Sequence, residues 1–284
     1  MPDIWPPVAA ESRTAAEGAS AFRARHGLGD APIRDIIQVV EDFCAAFVIS
    51  RPFPSALDAF TVQDGVAGIT IIAVGTSENY ERQRFTIAHE LGHLESGRMS
   101  ADIHGMDGYQ RNPDEVWADN FARHILLPLS AVESYLTDTD RTRGALPVES
   151  LSDLVRVFGI SPKAAMIQLR DSGWISTATF EEWQASHMTT SKGLALRHGW
   201  SSEREAMVRS SLTQRRPTRL VQAATTAYQA NAVSLAALAQ TSGENDLDHF
   251  RAVLDETGIR PAEVAKRLDD WEPDDLSDLY RNDD

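Results

Sequence analysis

One short stretch of the chain, Arg84 to Glu95, constrains the fold most, because it predicts a packed helix with two histidines one turn apart. It contains His-Glu-Leu-Gly-His at positions 89–93. In a helix, His89 and His93 lie one turn apart on one face, where both can bind one metal ion. Glu90 can then reach a water on that metal and accept its proton. The pattern is typical of a zinc hydrolase, most often a peptidase.

The neighbouring residues indicate that this helix is packed against other parts of the protein. Two histidines at this spacing also occur by chance on solvated helices, but here an apolar stripe accompanies them: Phe85, Ala88, Leu91 and Leu94. Gly92 destabilises a helix by about 1 kcal/mol relative to alanine, so it predicts the close approach of another segment. Gly97 predicts the end of the helix, and Ser77 or Asn79 its N-cap.

A second predicted helix, at residues 113–122, offers a third ligand. Glu115 and Asp119 are four residues apart and share one face. Glu115 would complete a His-His-Glu set that leaves a fourth position for water. Asp119 is placed to accept a hydrogen bond from a ligand histidine. Asp114 is an alternative ligand. Acidic residues near the start of a helix are also stabilised by the helix dipole, without binding a metal.

Together the two helices resemble the ImmA/IrrE family of metallo-endopeptidases. Arg-Phe-Thr-Ile-Ala-His-Glu-Leu-Gly-His at 84–93 is followed by Glu-x-x-Ala-Asp-x-Phe-Ala at 115–122 and by Ile-Leu-Leu-Pro at 125–128. The family commonly has Leu-Leu-Met-Pro at this last position, so Ile125 and Leu127 are apolar departures. The resemblance covers roughly residues 15 to 175.

The resemblance implies a function and a set of site residues. It implies that His89, His93 and Glu115 bind the metal and that Glu90 is the general base. Zn²⁺ is the expected metal, with Mn²⁺ as the alternative. The expected partner is a protein substrate, in particular a helix-turn-helix repressor that is cleaved in a stress or mobile-element response.

The pattern of elements predicts an α+β fold: a zincin-like metallopeptidase domain with a small twisted sheet and the His-Glu-x-x-His helix, then an all-helical C-terminal region. A β-hairpin is expected over residues 59–74, turning at Asp64-Gly65. Such a hairpin can bind a peptide substrate along an exposed edge, or be purely structural. Three residues are candidate oxyanion stabilisers: Tyr80, His104 and Tyr109.

Three regions are expected along the chain. Residues 1–175 form the zinc metallopeptidase domain, with a helix-turn-helix-like unit at about 147–175. Residues 176–217 are a linker or boundary region, and residues 218–284 are a helical C-terminal domain with an acidic tail. Basic and acidic residues balance within the helix-turn-helix-like unit, which favours a structural or partner-docking role over DNA reading.

Composition narrows the function classes further. The formal charge of −15 disfavours non-specific binding to nucleic acid, so direct DNA binding is not expected. Cys44 is the only cysteine, which fits a reducing cytoplasm, and no stretch approaches the roughly 20 apolar residues of a membrane helix. We therefore expect a cytoplasmic protein. The alternative function is a non-proteolytic regulator with a vestigial or structural metal site, which binds a partner through its helical C-terminal part.

Overall fold

The computed structural model describes residues 10–44, 46–54, 57–64, 66, 68–97 and 113–262. The chain divides into two compact units, Met1–Pro217 and Thr218–Asp284. Strands β1 (Ala46–Arg51), β2 (Ala59–Asp64) and β3 (Ile69–Gly75) form the sheet of the first unit. Its helices are α1 (Ala10–Arg25), α2 (Ile36–Phe43), α3 (Tyr80–Ser96), α4 (Pro113–Leu126), α5 (Leu129–Asp138), α6 (Val148–Phe158), α7 (Pro162–Asp171), α8 (Thr177–Ala185), α9 (Ser191–Arg197) and α10 (Ser201–Leu212). The predicted α+β class is confirmed.

The sheet has the strand order β1-β3-β2, with β1 parallel and β2 antiparallel to the central strand β3. β2 and β3 are the two strands of the predicted hairpin. Their register pairs Asp64 with Ile69, so the connection is longer than the predicted Asp64-Gly65 turn. Gly68 lies in this connection with φ +65°, a conformation that favours glycine.

The two faces of the sheet differ in what covers them. Because successive side chains alternate between faces, the register assigns each residue to one side. The face toward α2 and α3 carries buried residues: Ala46, Val48, Ser50, Ala59, Ile72 and Val74. The opposite face, here called the outer face, is also apolar but partly exposed: Phe47, Ile49, Phe60, Val62, Ile69 and Ile71.

Helices α3 and α4 pack closely because Gly92 has no side chain. A Cβ atom at Gly92 would lie 3.1 Å from the Cα of Ala118 and 3.2 Å from a ring carbon of Phe121. These distances are tighter than ordinary van der Waals contact. The close approach predicted from Gly92 is therefore confirmed, and the approaching segment is α4.

Arg84 ties α3 to two distant segments. It is 4% exposed, and its guanidinium donates to the carbonyl oxygens of Gly159 (3.0 Å), Arg34 (2.9 Å) and Ile33 (2.5 Å). Burial lowers the pKa of Arg84, but a guanidinium stays charged at any ordinary pH. The side chain therefore fixes the metal-site helix against the start of α2 and the end of α6.

The helix-turn-helix-like unit consists of α6 and α7, joined by a turn with Gly159 at φ +60°. Most of α7 is buried: Pro162, Ala164, Ala165, Met166, Gln168 and Leu169. Gln168 donates to the carbonyl of Leu127 (2.5 Å) and accepts from Arg123 (2.9 Å). These contacts hold α7 against the end of α4, which supports a structural role for the unit.

The region 176–217, which the sequence predicts to be a linker or boundary region, is largely helical. It forms α8, a short 3-10 helix at His187–Thr189, α9 and α10. Trp183, Leu194 and Trp200 are buried in the same core as the sheet and the metal-site helices. Its apolar residues are spaced irregularly because each short helix contributes only one or two of them to that core.

The second unit is described over residues 218–262. It contains α11 (Thr218–Gln229), α12 (Leu235–Ser242) and α13 (Leu247–Glu256), with Leu238, Ala239 and Leu254 buried. The acidic tail predicted at the C-terminus lies outside the described residues. Within the part of the chain that the structure describes, none of the helices is long and apolar enough to cross a membrane.

Candidate metal centre

Local signals at both ends of α3 place its central residues. The side chain of Asn79 accepts a hydrogen bond from the backbone N–H of Arg82 (3.0 Å), so Asn79 is the N-cap. Gly97 adopts the left-handed conformation, with φ +65°, and ends the helix. Both predicted signals are confirmed. Between these ends, His89, Glu90 and His93 point into the protein and are 7%, 2% and 3% exposed.

Three potential ligand side chains meet between α3 and α4. The Nε2 atoms of His89 and His93 lie 3.0 Å apart. Glu115, which is 6% exposed, lies with its carboxylate oxygens 3.1 Å from His89 Nε2 and 3.3 Å from His93 Nε2. The predicted ligands thus form one buried group that could hold a metal ion. Asp114, the alternative ligand, is not part of this group.

The group fits zinc. Ligand atoms that each lie about 2.0–2.1 Å from a tetrahedral Zn²⁺ are separated from one another by about 3.3 Å. The three measured separations are 3.0, 3.1 and 3.3 Å. Two imidazole nitrogens and one carboxylate are also a ligand set that zinc accepts while retaining an open position. The same set is compatible with Mn²⁺.

Asp119 orients the first histidine. Its carboxylate lies 2.9 Å from His89 Nδ1, so a proton on Nδ1 leaves Nε2 to face the other ligands. Burial acts to lower the pKa of His89. The hydrogen bonds to Asp119 and Glu115 outweigh it and raise that pKa to about 9. The two carboxylates therefore favour positive charge at His89.

Glu90 is held by a residue that the sequence analysis missed. The hydroxyl of Thr61, on β2, donates a hydrogen bond to Glu90 Oε2. Thr61 lies on the sheet face toward α3, opposite Ile72. Strand alternation alone would have placed Thr61 on the same face as Ala59, but only the packing of β2 beside α3 brings it to Glu90.

Tyr80 is the one candidate oxyanion stabiliser that lies within the described residues. A Cβ atom at Gly159 would lie 2.8 Å from the Tyr80 hydroxyl, and the Tyr80 ring stacks under the guanidinium of Arg84 at 5.4 Å. Tyr80 is the first residue of α3, so about 15 Å of helix separates it from Glu90. Its role as an oxyanion stabiliser stays a prediction, and its position at the start of α3 does not support that role. His104 and Tyr109 lie outside the described residues.

Comparison with known proteins supports the same assignment. Residues 47–170 match the family model Peptidase_M78, described as the IrrE N-terminal-like domain. This segment contains the sheet, both metal-site helices and the helix-turn-helix-like unit. None of the curated proteins matches the chain. The predicted resemblance to the ImmA/IrrE metallopeptidases is confirmed, because residues 47–170 are similar to the IrrE N-terminal-like domain.

Proposed function

We propose that this protein is a zinc-dependent endopeptidase that cleaves a specific regulatory protein. One observation carries the proposal: a buried carboxylate, Glu90, directly follows His89 on α3, next to the buried group of His89, His93 and Glu115. A purely structural metal site has no need of such a base. The match of residues 47–170 to a peptidase family supports peptidase activity. A peptidase acts on a protein or peptide substrate.

The chemistry follows from the roles of the side chains. His89, His93 and Glu115 would hold the zinc, which when bound polarises a carbonyl and lowers the pKa of its water to about 7. Glu90 accepts the proton from the attacking water and then donates it to the leaving amine. Thr61 holds one oxygen of Glu90, and so orients the other for this proton transfer.

The substrate binds along β2 in this proposal. The backbone N–H of Gly75 donates to the carbonyl of Asp58 (2.8 Å), and the register continues with Ala59 opposite Val74. In an antiparallel ladder, the backbone N–H and C=O groups of successive residues point alternately toward and away from the partner strand. The backbone groups of Ala59, Thr61 and Gln63 therefore point away from β3. An extended peptide can pair with these three residues and pass beside Glu90.

The identity of the substrate follows only from the resemblance. ImmA/IrrE proteins act on DNA-binding repressors, so we propose a helix-turn-helix repressor. An open strand edge accepts an internal segment of a chain as readily as its end, which suits an endopeptidase. The strongly acidic composition, with a formal charge of −15, would favour association with a basic, DNA-binding substrate.

The test compares wild type, Glu90→Gln and Glu95→Gln in the native host by sequencing all new protein N-termini, under resting and stress conditions. Glu95→Gln is a matched control, because Glu95 lies on the same helix but pairs with Arg25 at a partly exposed position (2.7 Å). We expect one or two new N-termini in wild type and Glu95→Gln. The abundance of these N-termini should be lower by about a thousandfold in Glu90→Gln, which is within the usual range for loss of a general base.

The metal content of the purified proteins distinguishes the outcomes. All three should bind one zinc, since Glu90 is not a ligand in the proposal. If the sets of N-termini are identical in all three strains, the peptidase proposal fails. The observation would then favour a regulator that binds its partner without cleaving it.

A further inference from the structure

We infer that β2 selects its substrate through the side chains on its outer face. Phe60, Val62 and Asp64 lie in one row there. They would fit an extended segment with an apolar residue on each side of the residue paired with Thr61. A basic residue would lie beside Asp64, two positions away from the apolar residue that lies beside Val62. This inference rests on the proposed binding of substrate along β2.

The two faces of β2 have different roles in this inference, because successive side chains of a strand point to opposite faces. Thr61 points toward α3 and holds Glu90, whereas Phe60 and Val62 point to the outer face, opposite Ala73 and Ile71. A peptide paired with β2 repeats this alternation. The substrate residue opposite Thr61 therefore faces the metal centre, and its two neighbours lie beside Phe60 and Val62.

The outer face offers these neighbours an apolar surface. Val62 is 51% exposed and Ile69 is 41% exposed, while the Phe60 ring stacks on Phe53 with a centroid separation of 5.6 Å. Side chains directly opposite on neighbouring strands have Cβ atoms about 4.5–5.5 Å apart, so an apolar substrate residue would contact Phe60 or Val62. Exposed apolar surface beside an open strand edge is typical of a binding site.

Asp64 gives the row a charged end. It is exposed and shares the outer face with Phe60 and Val62, and its carboxylate caps the N–H of Val66 (2.9 Å). A substrate side chain beside Asp64 lies three positions from the residue opposite Thr61. A lysine or arginine at that position would be attracted, and an acidic residue repelled. Whether the basic residue precedes or follows the apolar pair would reveal the direction of the substrate strand.

A binding selection tests the inference without requiring cleavage. The full-length, zinc-loaded Glu90→Gln protein is immobilised and offered a library of peptides with randomised positions, and the retained peptides are sequenced. The same selection is made with Val62→Lys, Val66→Lys or Asp64→Asn added. Val66 is the matched control because it is a fully exposed valine in the adjacent turn, outside β2.

The expected result is enrichment of apolar residues at two positions separated by one residue, with a basic residue two positions beyond one of them. Val62→Lys should reduce retention of these peptides about tenfold, in line with burial of one valine-sized side chain, and Val66→Lys should leave retention unchanged. Asp64→Asn should remove the basic preference alone.

Three results would overturn the inference: no peptide retained, retained peptides without the alternating pattern, or equal effects of Val62→Lys and Val66→Lys. The retained peptides are then offered to the wild-type protein. Peptides that bind in this pattern but remain uncut would contradict the proposed hydrolysis, and the selectivity of β2 would stand. Cut peptides that lack the pattern would contradict the selectivity, and the peptidase proposal would stand.

Discussion

The two edges of the three-stranded sheet contrast sharply. At the β1 edge, Ser50 and Arg215 form an isolated antiparallel bridge, in which each N–H donates to the other carbonyl at 2.9 Å. The Arg215 side chain also pairs with Asp35 at 2.9 Å. Arg215 follows α10, so a segment far along the chain returns to pair with this edge at Ser50.

The β2 edge is left open within the described residues, where no further strand pairs with it. An exposed edge with apolar neighbours risks aggregation, and proteins usually cover or charge such an edge. Here one edge is covered while the edge beside Glu90 is open. The proposed binding of a peptide along β2 uses this second edge, and the following substitutions test that proposal from the largest expected effect to the smallest.

Glu115→Gln tests whether the group of His89, His93 and Glu115 binds zinc. Loss of the ligand carboxylate should lower zinc affinity by about a hundredfold or more, since even the outer hydrogen-bond partners of ligands contribute about 10–100-fold. Zinc titration with a competing chelator measures the effect. Asp114→Asn, the adjacent carboxylate on α4, is the control and should keep wild-type affinity. Equal losses in both variants would remove Glu115 from the ligand set.

Thr61→Val tests the link between β2 and the base. Replacing a hydroxyl that donates to a carboxylate removes about 1.5–3 kcal/mol, so kcat should fall by about 10–100-fold with little change in KM. Thr61→Ser keeps the hydroxyl and should restore most of kcat. A fall in both variants, or a change confined to KM, would show that Thr61 does not position Glu90.

Gln63→Pro tests whether the outward backbone groups of β2 bind the substrate. Gln63 is exposed, and its N–H points away from β3 by the ladder alternation. Proline removes this donor without removing a bond to β3. One lost hydrogen bond of about 0.5–1.5 kcal/mol and the bulk of the ring should together raise KM by about tenfold. Gln63→Ala keeps the N–H and should leave KM near its wild-type value.

Arg215→Pro makes the corresponding change at the covered edge. It removes the N–H that donates to Ser50, so the free energy of unfolding should fall by about 1 kcal/mol, whereas KM should not change. Arg215→Ala removes only the partly exposed ion pair with Asp35, which should contribute less than about 1 kcal/mol. Denaturant titration measures both. A rise in KM for Arg215→Pro would mean that the two edges do not have separate roles.

Local sequence signals were sufficient for much of the metal-site helix. The cap at Asn79, the end at Gly97 and the shared face of His89 and His93 each depend on residues within a few turns, whose conformational preferences act locally. The approach of another segment at Gly92 was also predictable, because glycine destabilises a helix unless another segment needs the space that a side chain would fill. The pairing of these residues with Glu115 needed the resemblance to a family as well.

Other features could not be predicted because they join segments that are distant in sequence. The helices of the region 176–217 were not predicted, because each short helix contributes too few apolar residues to show a period. Thr61 was overlooked because nothing in its own strand marks it as a partner of Glu90.

The sequence by itself determined helix α3, the candidate group of His89, His93 and Glu115, and the α+β class, because these depend on spacing along a helix and on motifs that match a known family. The tertiary structure alone decided the strand order, the covering of β1 by Arg215, and the meeting of Thr61 with Glu90. Each of these depends on backbone hydrogen bonds and packing between distant segments. Such interactions are set by the fold as a whole, because backbone groups are the same at every residue and carry no sequence signal of their partner.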